Sequence, residues 1–305
     1  MKHKVRFTTL AAMLCGIQVA AQEGTVAIET EQEPKYELVF EDMVGMLDRD
    51  GRTVLSGNGY SIVIEDRDWK PSHKAYQNTM KKLQSAAVAT EQDNPAWPSP
   101  NMAFEYRSAK DSITMRYYYL PKGADKYRIV GFVTPITKDI RFEQETVRRI
   151  AENASFTSNL AGFQAPQIMF CGRPLRFGSS CHWMAPHNWQ CSGLGQMNWS
   201  VSTSQVRARG LMQAQLDATV ASNREVLQRD TVPVTFEGFD TEAIRITYKV
   251  PAVPRILGQT GRTIIAYYLC ATVRLREIHA VLSYFDDEAP NGGFPPMLAE
   301  VMKLR

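Results

Sequence analysis

The chain has 305 residues, with 35 Lys plus Arg against 32 Asp plus Glu. That length suffices for one large domain or two of ordinary size. Residues 1–21 hold Lys2, Lys4 and Arg6 and no carboxylate, so the rest of the chain carries 35 − 3 = 32 basic residues against 32 acidic ones. At the level of net charge nothing then points to a nucleic acid or an acidic membrane as partner.

The first residues have the pattern of a secretory signal: a basic start at Lys2, His3, Lys4 and Arg6, an apolar run too short to span a bilayer, and Val19 and Ala21 at the −3 and −1 positions. Cleavage is expected after Ala21, giving a secreted or periplasmic protein. Leu14 before Cys15 is not the small residue that a lipoprotein site requires, so lipid anchoring is not expected. No later apolar run approaches 18 residues, so no transmembrane segment is expected in the mature chain. Residues 22–35 are acidic and aperiodic and suggest a flexible leader.

From Tyr36 the pattern turns to strands: YELVFED, RTVL and GYSIVIED, divided by the turn sequences LDRDG and SGNG. Residues 72–90 place Ala75, Met80, Leu83, Ala87 and Val88 at helical spacing behind Ser72, which predicts a helix. MAFEYRS, SITMRYYYLP and YRIVGFVTP predict three strands, and FEQETVRRIAENAS a second helix. The second half offers GQMNWSVST as a strand and residues 204–229 as the longest helix. Four strands follow, VPVTFEGF, EAIRITYKVP, TIIAYYLCATV and EIHAVLSYF, and then PPMLAEVMKL as a closing helix.

Phe104-Glu105 and Phe236-Glu237, Ile113 and Ile244, and Pro121 and Pro251 recur at nearly constant separation, which suggests an internal duplication. The expected fold class is therefore α+β: two related halves, each an antiparallel sheet packed with helices in the order β-α-β-β-β-α. The expected divisions are a signal peptide at 1–21, a leader at 22–35, an N-terminal unit at 36–160, a connecting segment at 161–200 and a C-terminal unit at 201–305.

The connecting segment holds the distinctive chemistry. Between Phe170 and Ser200 fall Cys171, Cys181 and Cys191, His182 and His187, and Trp183, Trp189 and Trp199. Gly, Pro and Ser interrupt it every few residues, which suggests an irregular loop stapled by disulfides. Outside the signal peptide the cysteines are Cys171, Cys181, Cys191 and Cys270, an even number in an exported chain, so disulfides are expected among them with pairing left open. A zinc site built from these cysteines and histidines lacks the close CxxC spacing, so no metal or other cofactor is expected. GxSxG, HExxH, P-loop and dinucleotide fingerprints are absent from the sequence, and no catalytic residue is assigned. The acidic turn Asp286-Asp287-Glu288 lacks the spaced oxygens of a calcium loop.

Trp183, Trp189, Trp199, His182 and His187 are the candidate ligand-binding residues, since flat rings offer contact area at low entropic cost. The functional expectation is an exported, non-enzymatic binding protein of the cell envelope that recognises a protein partner or a small ligand through this segment. The alternative is an envelope hydrolase or metal-dependent enzyme using His182 and His187 with nearby cysteines or carboxylates.

Overall fold

The computed structural model describes residues 35–47, 51–67, 87–93, 102–108, 113–122, 126–152, 167–176, 180–222, 225–249, 262–289 and 293–305. Seventeen strands and four α-helices lie within them. The chain starts with α1 (Tyr36–Glu41) and the strands β1 (Val44–Leu47), β2 (Thr53–Gly57) and β3 (Tyr60–Arg67). These are followed by β4 (Ala87–Asp93), β5 (Met102–Ser108), β6 (Thr114–Pro121), β7 (Tyr127–Thr134) and α2 (Ile140–Ala151). The strands form one antiparallel sheet in the order β1-β2-β3-β7-β6-β5-β4.

A small hairpin, β8 (Gln167–Phe170) with β9 (Arg173–Arg176), precedes the second sheet. That sheet is built from β10 (Cys181–Ala185), β11 (Asn188–Cys191), β12 (Gly195–Ser202), β13 (Glu225–Phe236), β14 (Phe239–Lys249), β15 (Thr263–Val273), β16 (Arg276–Phe285) and β17 (Met302–Leu304). α3 (Gln205–Ala221) follows β12, and α4 (Pro296–Ala299) precedes β17. The strand order is β10-β11-β12-β16-β15-β14-β13-β17, all antiparallel.

The fold is mostly β, which corrects the α+β expectation. The element order β-α-β-β-β-α expected for two related halves does not hold. The stretch that was expected to close a helix at residue 90 is strand β4 from Ala87, and residues 68–86 lie outside the described residues. YELVFED was expected as a strand but is the helix α1. Phe40 there stacks on Phe142 of α2 at 5.3 Å, and the Arg149 guanidinium lies 4.0 Å from the Phe40 ring centre. The closing helix is a single turn, Pro296–Ala299, because Met302–Leu304 pair instead with the end of β13. The Cys181–Cys191 stretch, expected to be irregular, supplies the paired strands β10 and β11, which join β12, the expected GQMNWSVST strand.

Two-residue turns with left-handed backbone join β2 to β3 at Asn58-Gly59 and β13 to β14 at Glu237-Gly238. The same geometry joins β8 to β9 at Cys171-Gly172 and β15 to β16 at Arg274-Leu275. Such turns match the right-handed strand twist. The first of them explains the SGNG sequence. Gly59 has φ +73, and a Cβ there would sit 2.5 Å from Leu211 of α3, so the backbone approach requires glycine.

That turn also knits the two sheets together. Asn58 N–H donates to the Val201 carbonyl at 2.9 Å, Arg207 Nε donates to the Asn58 carbonyl at 2.7 Å, and Asn58 Oδ1 accepts from Thr203 N–H at 3.0 Å. Asn58 Nδ2 donates to Asp139 Oδ2 at 3.0 Å, and Asp139 also caps α2 by accepting from Phe142 N–H. One continuous apolar core runs from Tyr60, Ile62 and Phe132 of the first sheet to Trp199, Leu269 and Leu282 of the second. α3 covers the other face of the second sheet, where Leu216 packs on Ile246, Tyr248, Ala266 and Tyr268.

Buried in the first half is a polar hub on Glu143 of α2. Tyr60 donates to Oε1 at 2.9 Å, Tyr118 donates to Oε2 at 2.6 Å, and Arg116 Nη1 donates to Oε2 at 3.2 Å. Burial, and then the neighbouring Glu143 carboxylate, raise the pKa of the two phenols, which therefore stay protonated and act as donors.

Candidate functional site: the two faces of the β10–β12 ladder

Strand side chains alternate between faces, so a paired ladder sorts its residues into two sets. Here Cys181 stands opposite Cys191, Trp183 opposite Trp189, Trp189 opposite Met197, and Cys191 opposite Gly195. This set points into the core. Trp183, Trp189, Cys191, Met197 and Trp199 are at most 2% exposed. The Trp183 and Trp189 rings meet edge to face at 4.5 Å, and Phe170 meets Trp199 at 5.3 Å. Trp189 Nε1 donates to Cys191 Sγ at 3.2 Å. The indoles therefore line the interior and offer no open ring face to a ligand at this surface.

A disulfide joins Cys181 and Cys191 across the β10–β11 hairpin. Cys171 and Cys270 are unbridged. Cys171 sits in the buried β8–β9 turn, where burial holds its thiol well above the ordinary range, and burial pushes the Cys270 thiol up to about 12. Neither is an activated thiolate.

The two histidines of the segment part ways. His187 occupies the β10–β11 turn with φ +57 and turns inward, its ring 5.0 Å from Trp199 and its Nε2–H donating to the Asp42 carbonyl at 3.1 Å. Burial lowers its pKa to about 4. His279 of β16 is buried nearby, and burial together with His187 lowers its pKa to about 3. Among the described residues, Nδ1 of His187 and both ring nitrogens of His279 have no hydrogen-bond partner. His182 lies instead on the outward face, exposed. The structure does not bring His182 and His187 into one pocket. No group of three or more His, Cys, Asp or Glu among the described residues is arranged to hold a metal ion.

The outward set is His182 and Met184 of β10, Asn188 and Gln190 of β11, and Gln196 and Asn198 of β12, continued by Val281, Ser283 and Phe285 of β16. His182 and Met184 are exposed and the amides half-buried. Gln196 Nε2 donates to Asn188 Oδ1 at 2.9 Å, which orients both amides. These strand positions carry no carboxylate, lysine or arginine, so the face recognises by hydrogen bonds and apolar contact rather than by charge.

At the far end of this face is a cleft of about 310 Å³, bordered by Gln190, Gln196, Ser283, Arg262, Ile264 and Phe285, with the Ser192-Gly193 turn at its mouth. Arg262 lies flat on the Phe285 ring at 3.6 Å and pairs with Asp287, while Glu288 accepts from Phe285 N–H at 3.2 Å. The acidic turn Asp286–Glu288 is thus a 3₁₀ turn tied to its neighbours.

Sequence reasoning missed Gln190, Gln196, Asn198, Ser283 and Arg262. A signal was there. NWQC and QMNW alternate apolar and polar residues with period two, CHWM does so as far as Trp183, and the intervening Pro and Gly mark the turns.

No family model matches the chain, and no curated protein matches it. Among solved structures it is similar to the apo immunity protein TplEi of the T6SS from Pseudomonas aeruginosa, at 13% identity and TM-score 0.25, over 86% of this chain and 97% of that one. It is also similar to a chain of the Tle4-Tli4 complex at 12% identity and TM-score 0.22, over 87% and 98%. A third likeness is to the di-domain ARO/CYC BexL from the BE-7585A biosynthetic pathway, at 9% identity and TM-score 0.17, over 74% and 84%. At these scores the likenesses carry no functional argument.

Proposed function

We propose that the chain is an exported binding protein that recognises a protein partner through the outward face of the β10–β12 ladder. The observation that carries this reading is the open, uncharged array of His182, Met184, Asn188, Gln190, Gln196 and Asn198. These residues stand on a sheet whose reverse side is locked by buried indoles and a disulfide. A rigid support under exposed hydrogen-bonding groups lowers the entropy lost on association. The Cys181–Cys191 disulfide supports work in an oxidising compartment, and the signal pattern of residues 1–21 agrees with it. No helix among the described residues is long and apolar enough to cross a membrane.

The test is site-specific photocrosslinking in cells of the source organism, with the reactive residue at Gln196 and, separately, at exposed Arg148 of α2. A discrete crosslinked protein from position 196 and none from 148 is expected. Equal patterns from both positions refute the assignment of the face.

A further inference from the structure

We infer that the cleft at the end of the ladder is an anchor pocket for an uncharged, hydroxyl-bearing aromatic side chain, a tyrosine presented by the partner. This rests on the partner-binding reading above and gives it a chemical specificity. A volume of about 310 Å³ is at the small end for ligand pockets, too small for most cofactors and ample for one aromatic side chain. Interfaces concentrate their affinity in such aromatic anchors seated in pockets.

The lining selects among aromatics. Ile264 and Phe285 provide the apolar side of the lining. Beside them stand the half-buried Gln190 carboxamide and Ser283 hydroxyl and the exposed Ser192 hydroxyl, groups that can exchange hydrogen bonds with a ligand. A bare phenyl ring would dehydrate the Gln190 amide and the Ser283 hydroxyl without pairing them, which is costly, whereas a phenol can accept from the amide and donate to a hydroxyl or carbonyl oxygen. Charge is not selected for. Asp287 and Glu288 compensate Arg262, the only cation of the lining, so neither a carboxylate nor an ammonium gains a clear advantage.

The experiment is a titration of the purified protein with N-acetyl-tyrosinamide, N-acetyl-phenylalaninamide and methyl glucoside, following the side-chain amide NMR signals of Gln190 and Gln196. The tyrosine amide is expected to shift both signals saturably, with the phenylalanine amide at least about tenfold weaker. The Gln190→Ala/Ser283→Ala double variant, which changes only rim residues, is expected to lose that discrimination at an unchanged thermal midpoint. Equal binding of the two amides, saturable shifts with the glucoside alone, or no saturable shift with any probe overturns the inference. A crosslink from Gln196 without a tyrosinamide shift overturns the anchor and leaves the binding face standing. A tyrosinamide shift without a crosslink overturns the binding face and with it a partner's tyrosine as the occupant.

Discussion

Acidification from pH 7 to pH 5 is the perturbation with the best-defined magnitude. His187 and His279 are each 2% exposed, and burial lowers their pKa values to about 4 and about 3. An unfolded histidine titrates near 6.5. Above that pH both states are neutral and the histidines contribute no pH dependence. As pH falls below about 6.5 the unfolded chain takes up two protons that the native chain refuses, so stability declines by about 1.4 kcal/mol per pH unit per histidine. The loss levels off only below the folded values. At pH 5 each residue has cost about 2 kcal/mol and the pair about 4 kcal/mol, a large share of a typical domain's stability. The carboxylates held low by arginine partners, Asp66 and Glu145 at about 2, begin to matter only at lower pH. The raised Asp42 carboxyl, whose burial outweighs its Arg276 partner, acts in the opposite direction. The assay is urea unfolding at pH 7.0, 6.0 and 5.0 for the natural chain and for His279→Leu, which removes one of the two titrating rings. A fall in the unfolding free energy of about 4 kcal/mol is expected, reduced to about half in the variant. A flat profile, or a variant with the natural slope, refutes the reasoning.

Two further outcomes follow from the packing. Trp189→Ala, which empties a site against Trp183 and Cys191, should cost about 3 to 5 kcal/mol. Gln190→Ala on the opposite face of the same strand should stay within about 0.5 kcal/mol, and paired chemical denaturation curves compare them directly. Glu143→Ala leaves Arg116 buried without its carboxylate and removes the acceptor of two phenols, so a loss of about 3 to 5 kcal/mol is expected. Replacing Arg116 with methionine in the same chain should recover part of that loss in the same assay.

How far these features were legible in the sequence differs from element to element. The long strands were visible because their apolar residues are β-branched or aromatic and, at Asn58-Gly59, the turn carries its own chemistry; the β13–β14 turn at Glu237-Gly238 was hidden inside the expected strand VPVTFEGF. α2 was visible because its apolar and charged residues fall on opposite faces at the helical period, and α3 because its seventeen residues hold no proline and a single glycine. α1 was hidden because its six residues complete fewer than two turns, and Phe40 owes its place to α2. Ala87 and Val88 fit a helical spacing equally well, but pairing with β5 made them strand. In the ladder, the prominence of tryptophan and cysteine drew the functional reading to residues that face inward. The less conspicuous glutamines and asparagines between them face out.

The single-residue alternation of that ladder has a consequence for how such a protein can diversify. Trp183, Trp189, Cys191, Met197 and Trp199 are held in the core, while His182 and Met184 between them stand exposed. Replacement at His182 or Met184 therefore alters the proposed binding face without removing a core contact. The chain can acquire a new preference by one substitution at a time, without passing through an unfolded intermediate sequence.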